Sequence, residues 1–265
     1  RTIQMLAISF NVERCLEQNS LLDLLTKELL LNRERAETLL QYLTDYGILR
    51  LFCEHNIGYL SPRTYFYYPG IQGYFDHASA LVLLDEYKTP ANIDFEKCKY
   101  LHKNTLYALA IISIQRFDYL ITDNATLNKI VDSWFEEELC FLALRHSNPN
   151  QANEYKPLLL QRMSESRETV ISITNNIILP LARNSSHPLG CALLDEFLSG
   201  FKYPAQRDII WSVPSFLRGS YADKWYSSRE LALNDENYTL SEDDMATGCP
   251  LVYAWALSSV NNSLR

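Results

Sequence analysis

Catalysis needs groups that can trade protons, attack or hold a metal, and here they are dispersed. The five histidines are His55, His77, His102, His146 and His187, with none of the short spacings of metal pairs. The six cysteines, Cys15, Cys53, Cys98, Cys140, Cys191 and Cys249, are spread almost evenly and form no CxxC pair. Zinc or redox chemistry therefore has no support, and reduced, buried thiols are expected. Glu136-Glu137-Glu138 and Asp243-Asp244 are adjacent carboxylates. Neighbours on a helix point apart, so these read as solvated faces and not as acid/base pairs. The acidic stretch NDENYTLSEDD lacks the central Gly and closing Glu of a calcium loop. No GxxxxGKS or GxxxxGKT phosphate loop, GxSxG elbow or HExxH helix occurs. No catalytic residue and no metal ligand is assigned.

Two aromatic clusters remain. The first is YFYYPGIQGYFDHASALVLL, from Tyr65 to Leu84, read as the join between a small module and a helical array. The second, from Pro204, reads PAQRDIIWSVPSFLRGSYADKW. There Trp211 and Phe216 are expected to anchor a helix contact, with Arg207, Asp208 and Arg218 at its edge. Such a cluster serves as core or, if exposed, as a partner-binding surface.

The elements that would position these clusters follow from pattern. The chain has 265 residues, 47% hydrophobic and 21% charged, which is enough to bury a core. Its net charge of −8 argues against general binding to nucleic acid. No run is long enough to span a bilayer and no signal peptide is visible, so a cytoplasmic location is expected. The chain begins at Arg1 and stops on a helical pattern, as a piece of a longer protein would.

Residues 2–18 read as one helix, with Asn19-Ser20 as a break and cap. A second helix follows over 21–31. Asn32 caps a third, with Ala36, Leu39, Leu40 and Leu43 on one face and Gly47 as its left-handed end. Alternation at Ile48–Phe52 and Ile57–Leu60 reads as a hairpin. Three helices and a hairpin spell a winged helix over 1–68. Beyond it, over 69–265, the pattern is helix after helix, an irregular α-solenoid without a fixed repeat. The spans are 70–88, 95–120, 125–146, 152–164, 167–183, 189–200, 204–218 and 242–261, with Pro180 late in the fifth. The fold class is thus α-dominated. The third helix carries Arg33 and Arg35 but also Glu34, Glu37 and Asp45, a weak charge pattern for a major-groove reader. A winged-helix transcription regulator with a helical sensing half is the alternative reading.

At the aromatic clusters the sequence resembles the STAND NTPases, in particular the bacterial antiviral Avs (AVAST) proteins. The resemblance lies in YLSPRTYFYYPGIQGYFDHASALVLL, HPLGCALLDEFL, RDIIWSVPSFLRG and GCPLVYAWALSSVNNSLR. It implies a nucleotide-binding NACHT-type module upstream of this chain, where ATP and Mg would bind, and no cofactor in the chain itself. It also implies a viral protein as trigger and self-association on activation. Relatives in animal immunity carry a pattern like FxHxxxQEFxAA, whose histidine meets the nucleotide phosphate. Here Gln72 matches the Gln, Gly73 replaces the Glu, and Tyr68 takes the histidine position. Tyr68 is accordingly the candidate nucleotide contact, with a hydroxyl in place of a charge.

Overall fold

The computed structural model describes residues 2–54, 64–98, 101–181, 184 and 186–208. The chain is helix-dominated, with one small three-stranded sheet among the described residues. It divides into two compact units, Arg1–Leu139 and Cys140–Arg265.

In the first unit α1 (Thr2–Val12) buries Leu6, Ala7 and Phe10 at helical spacing. The helix expected over 2–18 stops there, because the chain turns and extends. β1 (Leu16–Glu17) pairs antiparallel with Phe66 and Tyr67. Strand pairing overrides local helix preference at this point. Helix α2 (Gln18–Leu29) consequently starts before Asn19-Ser20, and Glu17, not Asn19, stands at its N-cap. Asn19 instead accepts a hydrogen bond from Arg33, at 3.1 Å. Leu30 ends α2 in the left-handed region, φ 54°.

Helix α3 (Arg33–Asp45) matches its local signals. Asn32 accepts from the Arg35 amide at 2.9 Å, and Ala36, Leu40 and Leu43 face inward. Gly47 follows with φ +68°, a conformation a side chain would strain. The hairpin β2 (Leu49–Glu54) and β3 (Thr64–Pro69) then pairs Arg50 with Tyr68 and Leu51 with Tyr67. Strand order is β1-β3-β2. The aromatic stretch expected to be a join is therefore, at Thr64–Pro69, the central strand. Its aromatics suit a pleated, half-buried surface, with Tyr67 buried and Tyr68 turned outward. The expected strand at Ile57–Leu60 lies outside the described residues.

Gly70 fits tightly beyond β3. Its amide donates to the Ile48 carbonyl at 2.7 Å, and a Cβ there would collide with the Gly47 carbonyl oxygen. Helix α4 (Gln72–Tyr87) then lies against α1, with Phe10 and Phe75 edge to face at 5.5 Å. It also packs on α5 (Lys103–Phe117). The expected helix at 95–120 starts late because residues 93–98 form turns that bury Ile93, Phe95 and Cys98. Asn124 fixes that loop: its amide reaches the carbonyls of Pro90, Ala91 and Ile93 at 3.1, 3.3 and 3.0 Å. The same turn shortens the next expected helix to α6 (Ser133–Arg145), where Asp132 accepts from the Phe135 amide at 2.8 Å. The first unit thus carries α4 and α5 on the core of the preceding helices.

The second unit begins within α6 and continues into α7 (Pro149–Glu165). Asn148 and Gln151 form a capping box, and Pro149 needs no amide partner at the first position. Helix α8 (Arg167–Ile173) is capped by Ser166, whose hydroxyl accepts from the Thr169 amide at 3.1 Å. The helix expected over 167–183 widens into a π turn at Thr174–Ile178, followed by α9 (Leu179–Leu181). The Leu179 amide reaches back five residues to the Thr174 carbonyl. Pro180 has no amide for the next rung, and widening the turn ahead of it relieves its ring. Helix α10 (Cys191–Ser199) packs on α7, burying Leu193, Leu194, Phe197 and Leu198. The four-residue α11 (Pro204–Arg207) is a single turn with Asp208 at its C-cap; of the helix expected over 204–218, residues 209–218 lie outside the described residues. The helix expected over 242–261 lies outside the described residues.

Candidate functional site

The inward face of α1 carries an asparagine where an apolar residue is expected. Asn11 is buried, and its amide donates to Ser79 at 2.7 Å and Thr105 at 2.8 Å. Its carbonyl oxygen accepts from the His102 amide at 2.9 Å and from the Thr105 hydroxyl at 3.1 Å. One side chain of α1 thus satisfies groups on α4 and at the start of α5. Next to it lies Asp76 of α4, whose side chain is 2% exposed. Its Oδ1 receives Arg14 and Gln72, each at 3.2 Å, and lies 3.3 Å from the Thr105 hydroxyl, whose single proton it shares with Asn11 Oδ1. Asp76 Oδ2 and Arg14 Nη2 are buried without a hydrogen-bond partner. A buried carboxylate is tolerated only when paired and hydrogen-bonded, and this one leans on a single guanidinium. Ser79 donates its own proton to the Phe75 carbonyl at 2.9 Å, which leaves its oxygen to accept from Asn11.

The node joins the sheet-bearing part of the unit to α4 and α5. Arg14 belongs to the turn between α1 and β1, while Gln72 and Asp76 lie on the first turns of α4. Gln72 is the residue matched to the family pattern, and it binds protein, at Asp76. Tyr68 is displayed four residues earlier on the outer face of β3, with Phe52 edge to face at 6.3 Å. Phe52 is exposed beside it.

A second polar cluster in the same unit surrounds Lys103, at the start of α5. Its ammonium lies 5.3 Å from the Tyr107 ring centroid, 5.0 Å from Trp134 and 4.7 Å from Phe135. It pairs with Glu138 at 3.0 Å. The Tyr107 hydroxyl donates to the other Glu138 oxygen at 2.6 Å, and burial followed by that carboxylate raises the Tyr107 pKa.

In the second unit His187 is buried. Its Nε2 lies 3.2 Å from the Ser147 carbonyl, and its Nδ1 accepts from the Leu189 amide at 3.3 Å. That pairing fits a neutral ring, and burial lowers its pKa. His102 does cap a helix, accepting from the Asn104 amide at 3.2 Å. Of the second aromatic cluster, Arg207 and Asp208 are described. They close α11, and Arg207 donates to the Phe201 carbonyl at 3.4 Å. Trp211, Phe216 and Arg218 lie outside the described residues. No group of His, Cys, Asp or Glu among the described residues is arranged to hold a metal. No described helix is long and apolar enough to cross a membrane.

Sequence reasoning missed Asn11, Arg14, Asp76 and Thr105. A signal was present: Asn11 and Asp76 interrupt otherwise apolar helix faces, and a polar residue there must find a partner. The partner of Asn11, however, lies 94 residues away at Thr105. Comparison of the chain with protein-family models, curated proteins and solved structures finds no match in any of the three.

Proposed function

We propose that this chain is the regulatory, non-catalytic segment of an antiphage STAND NTPase. Its first part acts as a winged helix that restrains an upstream nucleotide module, and its helical part contributes to the surface that meets a viral protein. The element order α1-β1-α2-α3-β2-β3, with β3 central, favours the winged-helix reading. The observation that carries the proposal is the Asp76 node. It ties the turn after α1 to α4 and α5, so the sheet-bearing part and the helices after it shift together. A regulatory segment needs such a connection, because a signal at one end must reach the other through packed elements.

In this mechanism the trigger binds the open form better and moves a pre-existing equilibrium toward it. ATP and Mg bind in the upstream module. Tyr68 faces outward from β3, and in this mechanism it is the residue that meets the nucleotide of the upstream module. Opening then exposes surfaces that assemble copies of the protein. The transcription-regulator reading gains nothing from α3, where Arg33 is paired with Glu37 at 3.4 Å.

The test is sedimentation of the whole protein with ATP and Mg, alone and with each member of a panel of recombinant phage proteins. Assembly that requires both ATP and one phage protein is the expected result. A particle of unchanged size across the panel, together with tight and salt-sensitive binding to duplex DNA, would overturn the proposal.

A further inference from the structure

The surroundings of Lys103 are unusual for a structural lysine. A lysine over one ring is common in proteins, at roughly one significant cation–π contact per 70–80 residues. Here three rings, from Tyr107, Trp134 and Phe135, stand within 5.3 Å of one ammonium. A carboxylate completes the enclosure at 3.0 Å. The Glu138 oxygen nearest the ammonium is buried and accepts from it in a charge-assisted pair, and the Tyr107 hydroxyl together with this carboxylate raises the Lys103 pKa. Trp134 is 66% exposed, so its ring costs solvation without filling a core. An open cleft of about 600 Å³ adjoins the rings, and Asp132 and Lys129 stand among its lining residues. Lys129 is neutralised by Glu96 at 3.5 Å. That volume falls in the range of small-molecule sites.

We propose that Tyr107, Trp134, Phe135 and Glu138 form a binding box for a methylated ammonium group, and that Lys103 is its resting occupant. A primary ammonium is strongly hydrated and carries three N–H donors; Glu138 and the Tyr107 hydroxyl meet part of that need, while Trp134 and Phe135 offer only ring faces. A quaternary ammonium has no N–H to satisfy, sheds its water more readily and gains the same attraction from the ring faces. Lys103 has a flexible four-carbon stem and a side chain 43% exposed, so it can swing into water when such a ligand arrives. The ligand's charged head replaces the lysine ammonium, and its body lies in the adjoining cleft. Binding is noncovalent and changes no bond. The occupant of this chemistry is a choline-like small molecule or a trimethylated lysine on a peptide.

The experiment is isothermal titration of the full 265-residue chain with choline, with a trimethyl-lysine peptide and with 3,3-dimethylbutanol, the uncharged isostere of choline. Lys103→Ala vacates the box, so it should tighten choline binding about tenfold if Lys103 occupies the box about nine-tenths of the time. The isostere should not bind. Trp134→Ala should abolish binding while leaving the thermal unfolding midpoint near that of the parent chain, because the ring is mostly in water. Preference for the peptide over choline would assign the protein-borne source, and the reverse would assign the free amine. Equal affinity for choline and its isostere, no gain on Lys103→Ala, or no binding of either cation by Lys103→Ala would overturn the proposal.

Discussion

Replacing Arg14 with Met should destabilise the chain far more than removing a typical ion pair. Arg14 is about one-third exposed, but its partner Asp76 is not, with 2% of its side chain accessible. After Arg14→Met the carboxylate stays buried with two neutral donors, Gln72 and Thr105. Stranding a buried charge in this way costs about 3–5 kcal/mol. Partial access of water along the Arg14 side places the expected loss near the lower end, about 3 kcal/mol. Asp76→Leu strands less, because Arg14 and Gln72 can turn to water and Thr105 keeps Asn11, so about 1–2 kcal/mol is expected. The double variant replaces both charges with apolar groups and should lie within about 1 kcal/mol of the parent chain. The two losses thus do not add, and the cycle should give a coupling of about 3–5 kcal/mol. Urea unfolding followed by circular dichroism measures it, with m unchanged across the set. Arg14→Met within about 0.5 kcal/mol of the parent, or losses that simply add, would refute the node as an electrostatic pin.

The remaining predictions rest on separate features. His187 has a pKa lowered by burial from its ordinary value of 6.5, so below that pH the unfolded chain binds a proton that the folded chain resists. Its contribution is complete above about pH 6.5 and is lost on acidification toward the folded value, with a slope of at most about 1.4 kcal/mol per pH unit. Urea midpoints of the parent and of His187→Gln between pH 8 and pH 5 should therefore converge as acid is added. Parallel curves would contradict the buried neutral ring; both chains are compared in a His146→Gln background, because burial, then Arg145 and His187, lower the His146 pKa. Gly70→Ala forces a methyl onto the Gly47 carbonyl and should cost about 1–3 kcal/mol, read as a lower thermal midpoint. An unchanged midpoint would show that the turn between β3 and α4 yields freely.

What could be read from the sequence was decided by neighbours in the chain. Asn32 and Gly47 bound α3 through contacts within a few residues, so spacing was enough to place it. Helix α4 was legible for the same reason. The misses share a cause in distant partners. Leu16 and Glu17 become a strand only because Phe66 and Tyr67 lie alongside, and the helix expected there ends early. The late starts of α5 and α6 stem from Asn124, which binds carbonyls more than 30 residues away. The candidate sites were hidden in the same way. Asn11 shows its purpose only beside Ser79 and Thr105, and Lys103 only beside Trp134 and Phe135. Side-chain types announced that something polar was buried; topology chose the partners it met.

The central claim is that this chain transmits a viral signal to a nucleotide-driven assembly. Its most direct test is the plating efficiency of a diverse phage panel on cells expressing the whole protein. Protection against at least one phage, lost in the Trp211→Ala/Phe216→Ala variant at equal protein abundance, is the result expected. No protection against any phage, or protection indifferent to that substitution and to removal of the upstream module, would contradict it.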